Sequence, residues 1–299
     1  MNMRARLRDS YALLVLSMVS TALAGELEVV TSVGFDTGAP VDGPTSLTFD
    51  EFGNLFVLSQ KANAVSVFDA DLRFVRSIGR QGGGPGELQN TACIALHQER
   101  LYVATMGRTH VFSVEGEYEA SISSLYFSKL SSIGGELVAI SSKEGPTFAR
   151  LDGDLRVLET FGPPSDWRKE WKILPGPDSG FVAFERHDGH AVVIDESRTN
   201  HEVVDLGLGR GWWKGARGKH ALADVAFDRV NQRYLVLYYP QLGEAPYLVE
   251  CGPDLSERTR WRVPEELGAD EVAVDPAGRI FVSSYGGSMV HVVRPDDDR

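Results

Sequence analysis

The sequence predicts an all-β fold, a six-bladed β-propeller of four-stranded blades whose ring is closed by the N-terminal strand. Three observations predict it. Short alternating apolar stretches recur along the whole chain, and turn motifs return at the same phase of the repeat. In addition, the last repeat lacks one strand, which a stretch near the N-terminus can supply. A repeat of this length with this turn chemistry is typical of propellers.

The first repeat occupies residues 44–88. Its four predicted strands are followed by a glycine-rich exit loop, Gly79–Leu88. Each strand is short and alternates apolar with polar residues, as expected of strands that bury one face. The strands are Ser46–Asp50, Leu55–Leu58, Ala64–Phe68 and Arg73–Ile78.

The first apolar residue of each second strand gives the period of the repeat. From one repeat to the next, these residues are 46, 36, 44, 53 and 46 positions apart. These spacings are close to the length of a four-stranded blade. Six such positions predict six blades. They are Leu55, Leu101, Leu137, Phe181, Tyr234 and Ile280.

The turn residues support the same register. The turn between the first two strands reads Asp-x-x-Gly at Asp50–Gly53 and again at Asp275–Gly278. The turn between the last two strands repeats at Asp69–Val75 and Asp152–Leu158, with a looser copy at Gly252–Ser256. Aspartate bonds its own backbone in turns and glycine supplies positive φ, so both motifs indicate hairpins.

The two ends of the chain predict how the ring closes. The last repeat has only three strands, Glu271–Asp275, Ile280–Ser283 and Met289–Val293. Glu26–Val33 is an alternating strand without a repeat of its own. We expect it to pair as the outer strand of the last blade, because this covers an edge that would otherwise be open.

The exit loop Gly79–Leu88 and the Asp-x-x-Gly turns resemble those of NHL-repeat propellers. The resemblance covers residues 26–299 in architecture, but only the first repeat carries the glycine motif well. The second repeat keeps Leu101–Ala104 and has Thr105 where that family usually has aspartate. The resemblance implies the fold. It leaves function open, because the same fold carries RNA binders, sensors, lactonases and lyases.

Residues 1–24 read as a signal peptide that precedes a propeller domain at 25–299. Arg4, Arg6 and Arg8 precede an apolar run, and Ala22-Leu23-Ala24 gives a small-x-small pattern for cleavage after Ala24. The run is shorter than a membrane-spanning helix requires. We therefore predict a periplasmic or secreted protein without a membrane span after cleavage; an uncleaved anchor is the alternative.

The composition argues against polyanionic partners. The net charge is −12, and −14 without residues 1–24, so nucleic acid is not an expected partner. Cys93 and Cys251 are the only cysteines, and they fall in distant repeats. We expect two buried free thiols, because cysteines that far apart cannot form a disulfide.

Loops that join strands two and three, or successive blades, share one face of a propeller and are the expected binding surface. On that face we predict ligand contacts from Arg108, Tyr239 and Tyr285. The long loop at 207–220 concentrates basic and aromatic side chains that could stack on a sugar or hold an anion. These are Arg210, Trp212, Trp213 and Arg217. The alternative is that the Trp rings pack between two blades.

A metal site is a second hypothesis. If Asp188-Gly189 forms a two-residue turn, His187 and His190 face each other across the hairpin, with Glu185 as a third ligand. Such a set would suit Zn²⁺. The alternative is a solvated hairpin tip.

Enzyme signatures are few. Asp42, Asp224 and Asp270 begin inner strands where lactonase-type propellers hold a catalytic Ca²⁺, although strand-end hydrogen bonds would explain them equally well. We therefore expect a non-enzymatic module without a cofactor, which binds a small molecule, glycan, peptide or protein through its loop face. A metal-dependent lactonase or lyase with Ca²⁺ or Zn²⁺ is the alternative, and an assembly scaffold is the third.

Overall fold

The structure is a computed structural model. It describes residues 14–15, 23–123, 127–141, 146–164, 171–185, 189–199, 201–206, 222–240 and 244–296. Regular structure in these ranges is β-strand apart from three single-turn 3-10 helices, Phe35–Thr37, Pro177–Ser179 and Glu265–Leu267. No helix in the described ranges is long and apolar enough to cross a membrane.

Four consecutive groups of four strands each form an antiparallel sheet in chain order. The first is β3 (Pro44–Phe49), β4 (Leu55–Ser59), β5 (Ala64–Phe68) and β6 (Phe74–Ile78). The second is β7 (Thr91–His97), β8 (Arg100–Thr105), β9 (Arg108–Ser113) and β10 (Tyr118–Ile122). The third is β11 (Phe127–Ile133), β12 (Glu136–Ser141), β13 (Pro146–Leu151) and β14 (Val157–Pro164). The fourth is β15 (Trp171–Pro175), β16 (Phe181–Glu185), β17 (His190–Ile194) and β18 (His201–Asp205), with β1 (Leu14–Val15) parallel to β18.

The remaining strands form one eight-stranded sheet in the order β19-β20-β21-β22-β2-β25-β24-β23. Its first half follows the pattern of the other sheets, and its second half takes β2 as its fourth strand. The strands are β2 (Leu23–Gly34), β19 (Leu222–Asp228), β20 (Arg233–Tyr238), β21 (Tyr247–Cys251), β22 (Glu257–Arg262), β23 (Glu271–Val274), β24 (Ile280–Ser283) and β25 (Met289–Pro295).

The N-terminal strand pairs where the sequence predicts. β2 runs antiparallel to β25 from Leu27 opposite Pro295 to Gly34 opposite Met289. The hydroxyl of Ser32 lies 2.8 Å from Nδ1 of His291 across this pairing. The start of β2 also runs parallel to β22, and this contact joins the two halves of the eight-stranded sheet. β2 therefore holds both ends of the chain together.

Apolar cores lie between successive groups of strands. Phe56 and Val103, for example, belong to the cluster between the first and second sheets. Val33, Leu55 and Phe281 belong to a cluster that joins the end of the eight-stranded sheet to the first sheet. The first strand of each group contacts the first strand of the next, and β23 contacts β3. The strands therefore form a closed ring, and the all-β propeller of four-stranded blades is confirmed.

The repeated turn motif places a leucine in a strained backbone conformation. Leu72, Leu155 and Leu255 occupy the same place in their turns, with φ of 65°, 61° and 63°. The Asp152 carboxylate accepts hydrogen bonds from the backbone N–H groups of Asp154 and Arg156, which holds its turn closed. The left-handed region is costly for a residue with a Cβ. Burial of the Leu155 and Leu255 side chains offsets that cost.

Both cysteines are free and buried, as predicted. Burial raises the pKa of the Cys251 thiol to about 12, and it raises the pKa of Cys93 as well. Neither thiol is therefore ionised at neutral pH.

Candidate functional site

Six residues occupy one equivalent position in the first strands of the groups. We call the first apolar residue of each second strand, which sets the repeat, the anchor. Each of the six residues lies opposite the fourth residue of the neighbouring second strand, counted from the anchor. Because these strands surround the central channel, we call this set the channel ring. Its members are Ser46, Cys93, Lys129, Lys172, Asp224 and Glu271.

A bulge precedes the ring position in four of the strands, β3, β7, β11 and β19. Bulges twist a strand and redirect the next side chain. The ring residues then point toward the following group, where the next strand donates to them. The N–H of Ile94 donates to Oγ of Ser46, and the N–H of Leu130 donates to Sγ of Cys93, both at 3.3 Å. The N–H of Val272 donates to Oδ2 of Asp224 at 3.0 Å.

The ring lies near the side of the disc that we call the loop face. This face carries the connections between second and third strands and the connections between sheets. The ring position is close to the start of each first strand and opposite the end of each second strand, as Lys172 opposite Phe184 illustrates. The ring therefore lies near the loop-face end of the first strands.

One half of the ring is charged, and its centre is Asp224. Nζ of Lys172 lies 2.7 Å from both carboxylate oxygens of Asp224, whose side chain is 2% exposed. Burial favours the neutral acid, but the ammonium groups of Lys172 and Lys129 outweigh it and lower the pKa of Asp224. Asp224 is therefore ionised and fully paired.

Glu271 is the second carboxyl group of the ring and behaves in the opposite way. Burial and the neighbouring Asp224 carboxylate raise the pKa of Glu271 to about 8, although Lys129 and Lys172 act against this. Two close carboxyl groups cannot both ionise easily, so one retains its proton. At neutral pH Glu271 is mostly protonated and shares that proton with Asp224.

Lys129 has no such partner. It is half-buried, its charge acts on Asp224 and Glu271, and it forms no ion pair with any residue of the described ranges. With Lys172 paired to Asp224 and Glu271 neutral, the charged half of the ring carries one uncompensated positive charge. The other half, Ser46 and Cys93, is uncharged.

The predicted loop-face residues are dispersed. Arg108 is exposed at the start of β9, beside Met106 with 82% exposure. Tyr285 is exposed, and Nζ of Lys61 lies 5.5 Å from its ring centroid. Tyr239 is buried, and its hydroxyl donates to the carbonyl of Ala269 at 2.7 Å. Tyr239 thus supports the turn before β23. Arg210, Trp212, Trp213 and Arg217 lie outside the described residues.

Only part of the predicted metal site lies in the described residues. His190 lies opposite Glu185 across β16 and β17. His187 and Asp188 lie outside the described residues, so the predicted histidine pair stays a prediction. In the described ranges, no three His, Cys, Asp or Glu residues come together as metal ligands would.

The three aspartates of the lactonase hypothesis lie in different surroundings. Asp42 is exposed and pairs with Lys61 at 3.3 Å. Asp270 lies beside Ser284, whose hydroxyl donates to it at 3.4 Å. Asp224 alone joins the ring, and the Lys172 ammonium occupies the place where a cation would contact both its oxygens. These aspartates therefore do not fit a shared Ca²⁺ site.

A separate cleft of about 310 Å³ lies on the opposite face, between the second and third sheets. His97, Glu136, Arg150 and Asp152 contribute to its lining. Nδ1 of His97 lies 3.2 Å from the Ser132 hydroxyl, and burial lowers the pKa of His97. A neutral, hydrogen-bonded histidine of this kind is explained by packing alone.

Sequence reasoning missed Lys129, Lys172 and Glu271. A signal was present, because each is a charged residue within an apolar stretch, 8 or 9 positions before the anchor of its repeat. Asp224 and the uncharged Ser46 and Cys93 fall 8 to 10 positions before theirs. Alignment of the first strands, and not only the second, would have brought the ring together.

Comparison with known proteins supports the fold. Virginiamycin B lyase from Staphylococcus aureus superposes with a TM-score of 0.56 at 10% identity, over 90% of this chain and 100% of that one. A candidate exported protein from Bacteroides fragilis gives 0.61 at 10% identity over 92% and 100%. A DUF4221 family member from Bacteroides vulgatus gives 0.58 at 12% identity over 91% and 99%.

No protein-family model matches this sequence, and no curated protein matches it either. At these identities the likeness concerns the fold alone. All three structures match about nine-tenths of this chain, which supports a propeller fold over most of it.

Proposed function

We propose that this protein is an exported six-bladed propeller of the NHL-repeat type that binds a ligand at the loop-face end of its channel. The closed circle of first strands and the apolar clusters between successive groups support six blades. The eight-stranded sheet then represents two blades joined through β2 and β22. The likeness to a candidate exported protein and the sequence of residues 1–24 support export.

The observation that carries the binding function is the uneven charge of the channel ring. A ring built only for stability would pair its charges, whereas here Lys129 remains unpaired among the described residues. Buried or half-buried charges without partners are costly and mark functional sites. The predicted contacts Arg108, Tyr285, Trp212 and Trp213 would extend this site over the loop face.

A thermal-shift screen of residues 25–299 with glycans, peptides and small metabolites tests this function. We expect a stabilising ligand whose shift is lost in Lys129→Gln or in the double variant Trp212→Ala/Trp213→Ala. Phe52→Ala is the matched control, because Phe52 is 74% exposed in a turn on the opposite face. A ligand whose shift disappears only in Phe52→Ala would place binding on the wrong face and refute the proposal.

The alternative is a metal-dependent lactonase or lyase, which the likeness to virginiamycin B lyase favours. Elemental analysis of the purified protein separates the two. Near-stoichiometric Ca²⁺ or Zn²⁺, with a melting temperature that falls in EDTA, would support the enzyme and count against the binding module.

A further inference from the structure

The face of the disc opposite the loop face carries the connections between first and second strands and between third and fourth strands, and we call it the turn face. Two large apolar side chains are exposed on it. They are Phe52 in the β3–β4 connection, with 74% exposure, and Val230 in the β19–β20 connection, with 56%. Three smaller residues of the same face are also exposed, Ala70, Pro276 and Ala277. We call these five residues the turn-face patch.

The turn-face patch is continuous across three neighbouring groups of strands. A Cβ added at Gly278, in the β23–β24 connection, would lie 3.6 Å from Cβ of Val230. Nη2 of Arg279 in the same connection donates to the carbonyl of Ala70 at 3.0 Å. A Cβ added at Gly53 would lie 3.6 Å from Cβ of Ala70. The connections that carry the five residues therefore contact one another in succession.

A continuous apolar patch differs from scattered exposed residues. Single apolar side chains in water are common and need no explanation, whereas contiguous ones mark interaction surfaces. Phe52 has most of its surface in water, so it adds little to the hydrophobic core. An aromatic side chain in this position can anchor a partner, because such residues dominate the binding energy of protein interfaces. The patch therefore fits the apolar centre of a docking surface.

The turn face also concentrates the negative charge of the protein. Its connections contain fourteen acidic and five basic residues, whereas the connections of the loop face contain eleven acidic and ten basic residues. The net charge of −12 is therefore distributed unevenly, and the turn face is the more negative side of the disc. Such a surface attracts cationic partners and repels anionic ones.

The excess of acidic residues is greatest at the Phe52 end of the patch. The two connections of the first sheet on this face contain four acidic residues and one basic residue, Arg73. Arg73 is paired with Asp71 at 2.6 Å, and Glu51 is exposed directly beside Phe52. At the other end, Arg229 forms no ion pair in the part of the chain that the structure describes. A basic partner is therefore expected at the Phe52 end.

Charge disfavours two other occupants of the patch. A second copy of this chain that docked through the same patch would bring two acidic faces together, and this juxtaposition costs binding energy. An anionic lipid surface would meet the same repulsion. A basic polypeptide is attracted instead, and one of its apolar side chains can cover the patch.

We propose that the turn-face patch docks a basic polypeptide, whose apolar side chain covers Phe52 and whose lysine or arginine residues face the acidic connections of the first sheet. This surface is separate from the loop face, and its partner is independent of the ligand proposed there. Because charge contributes to the attraction, the affinity should fall as salt is added.

An acetylated peptide with lysines on both sides of one tryptophan serves as the probe. It carries a fluorophore, and its binding to the purified protein is followed by fluorescence anisotropy. The same peptide with glutamate in place of lysine is the reference. We expect saturable binding of the lysine peptide alone, weaker at about 300 mM than at about 50 mM NaCl.

Two variants test the two parts of the surface. Phe52→Ala should weaken binding of the lysine peptide about tenfold, as the loss of an aromatic anchor gives. Glu51→Lys should weaken it about threefold at low salt and little at high salt, because salt screens an exposed charge.

Met106→Ala and Glu265→Lys are the matched controls, because they make the same kinds of change on the loop face. Met106 is 82% exposed there, and Glu265 is exposed as well. Both variants should bind the lysine peptide as the wild type does.

Four results would overturn the inference: no binding of the lysine peptide, equal binding in Phe52→Ala or Glu51→Lys, binding of the glutamate peptide, or a dimer in gel filtration that Phe52→Ala abolishes. Cationic peptides are measured apart from the loop-face screen, in which Phe52→Ala is the control. Each proposal can therefore fail without the other.

Discussion

The ammonium nitrogen of Lys172 lies 2.7 Å from each carboxylate oxygen of Asp224, although 52 positions separate them in the chain. The pair joins the first strands of two neighbouring groups, β15 and β19. The N–H of Val272 on a third strand donates to the same carboxylate. One buried acid therefore connects three successive first strands around the channel.

Lys172→Met should destabilise the protein strongly. It leaves the buried Asp224 carboxylate without its ammonium partner, and loss of one member of a buried pair typically costs about 3–5 kcal/mol. Urea denaturation at neutral pH measures the free energy of unfolding. The double variant Lys172→Met/Asp224→Leu should recover most of the loss, because it leaves no isolated charge. A double variant as unstable as the single one would show that packing, and not charge, explains the effect.

Glu271→Gln should flatten the pH dependence of stability. The folded-state pKa of about 8 is above the unfolded value, so the folded protein binds a proton between them and stability falls as pH rises from about 4.5 to about 8. A neutral amide removes this loss. Denaturation measures the free energy of unfolding of the variant relative to that of the wild type. This difference should be more favourable to the variant above pH 8 than at acidic pH, by on the order of 1–3 kcal/mol. An unchanged slope would contradict a raised pKa.

Leu155 offers a test of backbone strain. It is 7% exposed and has φ of 61°, so Leu155→Ala loses core burial but keeps the left-handed strain. Leu155→Gly loses slightly more burial and relieves strain of about 1–2 kcal/mol. We expect the glycine variant to be at least as stable as the alanine variant.

Leu101 in β8 provides the comparison, since it is fully buried in a regular strand. There glycine should be less stable than alanine by about 1 kcal/mol, the usual order. The same order at both positions would mean that the turn does not strain Leu155.

Both cysteines should be unreactive in the native protein. Burial raises the pKa of both thiols, and only the thiolate attacks a disulfide reagent. Ellman's reagent should therefore detect two thiols in denaturant and almost none in buffer. Fast modification of one thiol in the folded state would show that its part of the core opens.

Removal of β2 should disrupt the ring. A protein that begins at residue 35 loses the pairing to both β25 and β22, which exposes two strand edges. We expect a lower melting temperature and aggregation, measured by calorimetry and gel filtration. A protein that begins at residue 25 keeps Leu27–Gly34 and should remain monodisperse. Equal behaviour of the two would contradict closure by β2.

The strand pattern could be predicted from the sequence because it depends on residues that are close together in the chain. All six anchor residues lie at the first or second position of a strand, and the pairing of β2 with β25 follows from a missing strand at one end and a spare strand at the other.

Alignment of the first strands would place the six residues of the channel ring at one level, but the contacts between them could not be predicted in the same way. The chemistry of the ring depends on which side chains of distant strands meet at one level of the channel. Lys172 and Asp224 each look like an isolated polar residue in an apolar strand. Only the register of both strands, together with the bulge before Asp224, brings the charges into contact.

The position of β2 also determines when the ring can close during synthesis of the chain. Its partners β22 and β25 are made after all the strands of the four-stranded sheets, since synthesis proceeds from the N-terminus. Contacts between residues this distant in sequence form slowly. β2 therefore stays unpaired until β22 and β25 have been synthesised. A partly synthesised chain cannot close the ring. In a chain that stalls before β25, β2 remains exposed and can pair with other molecules.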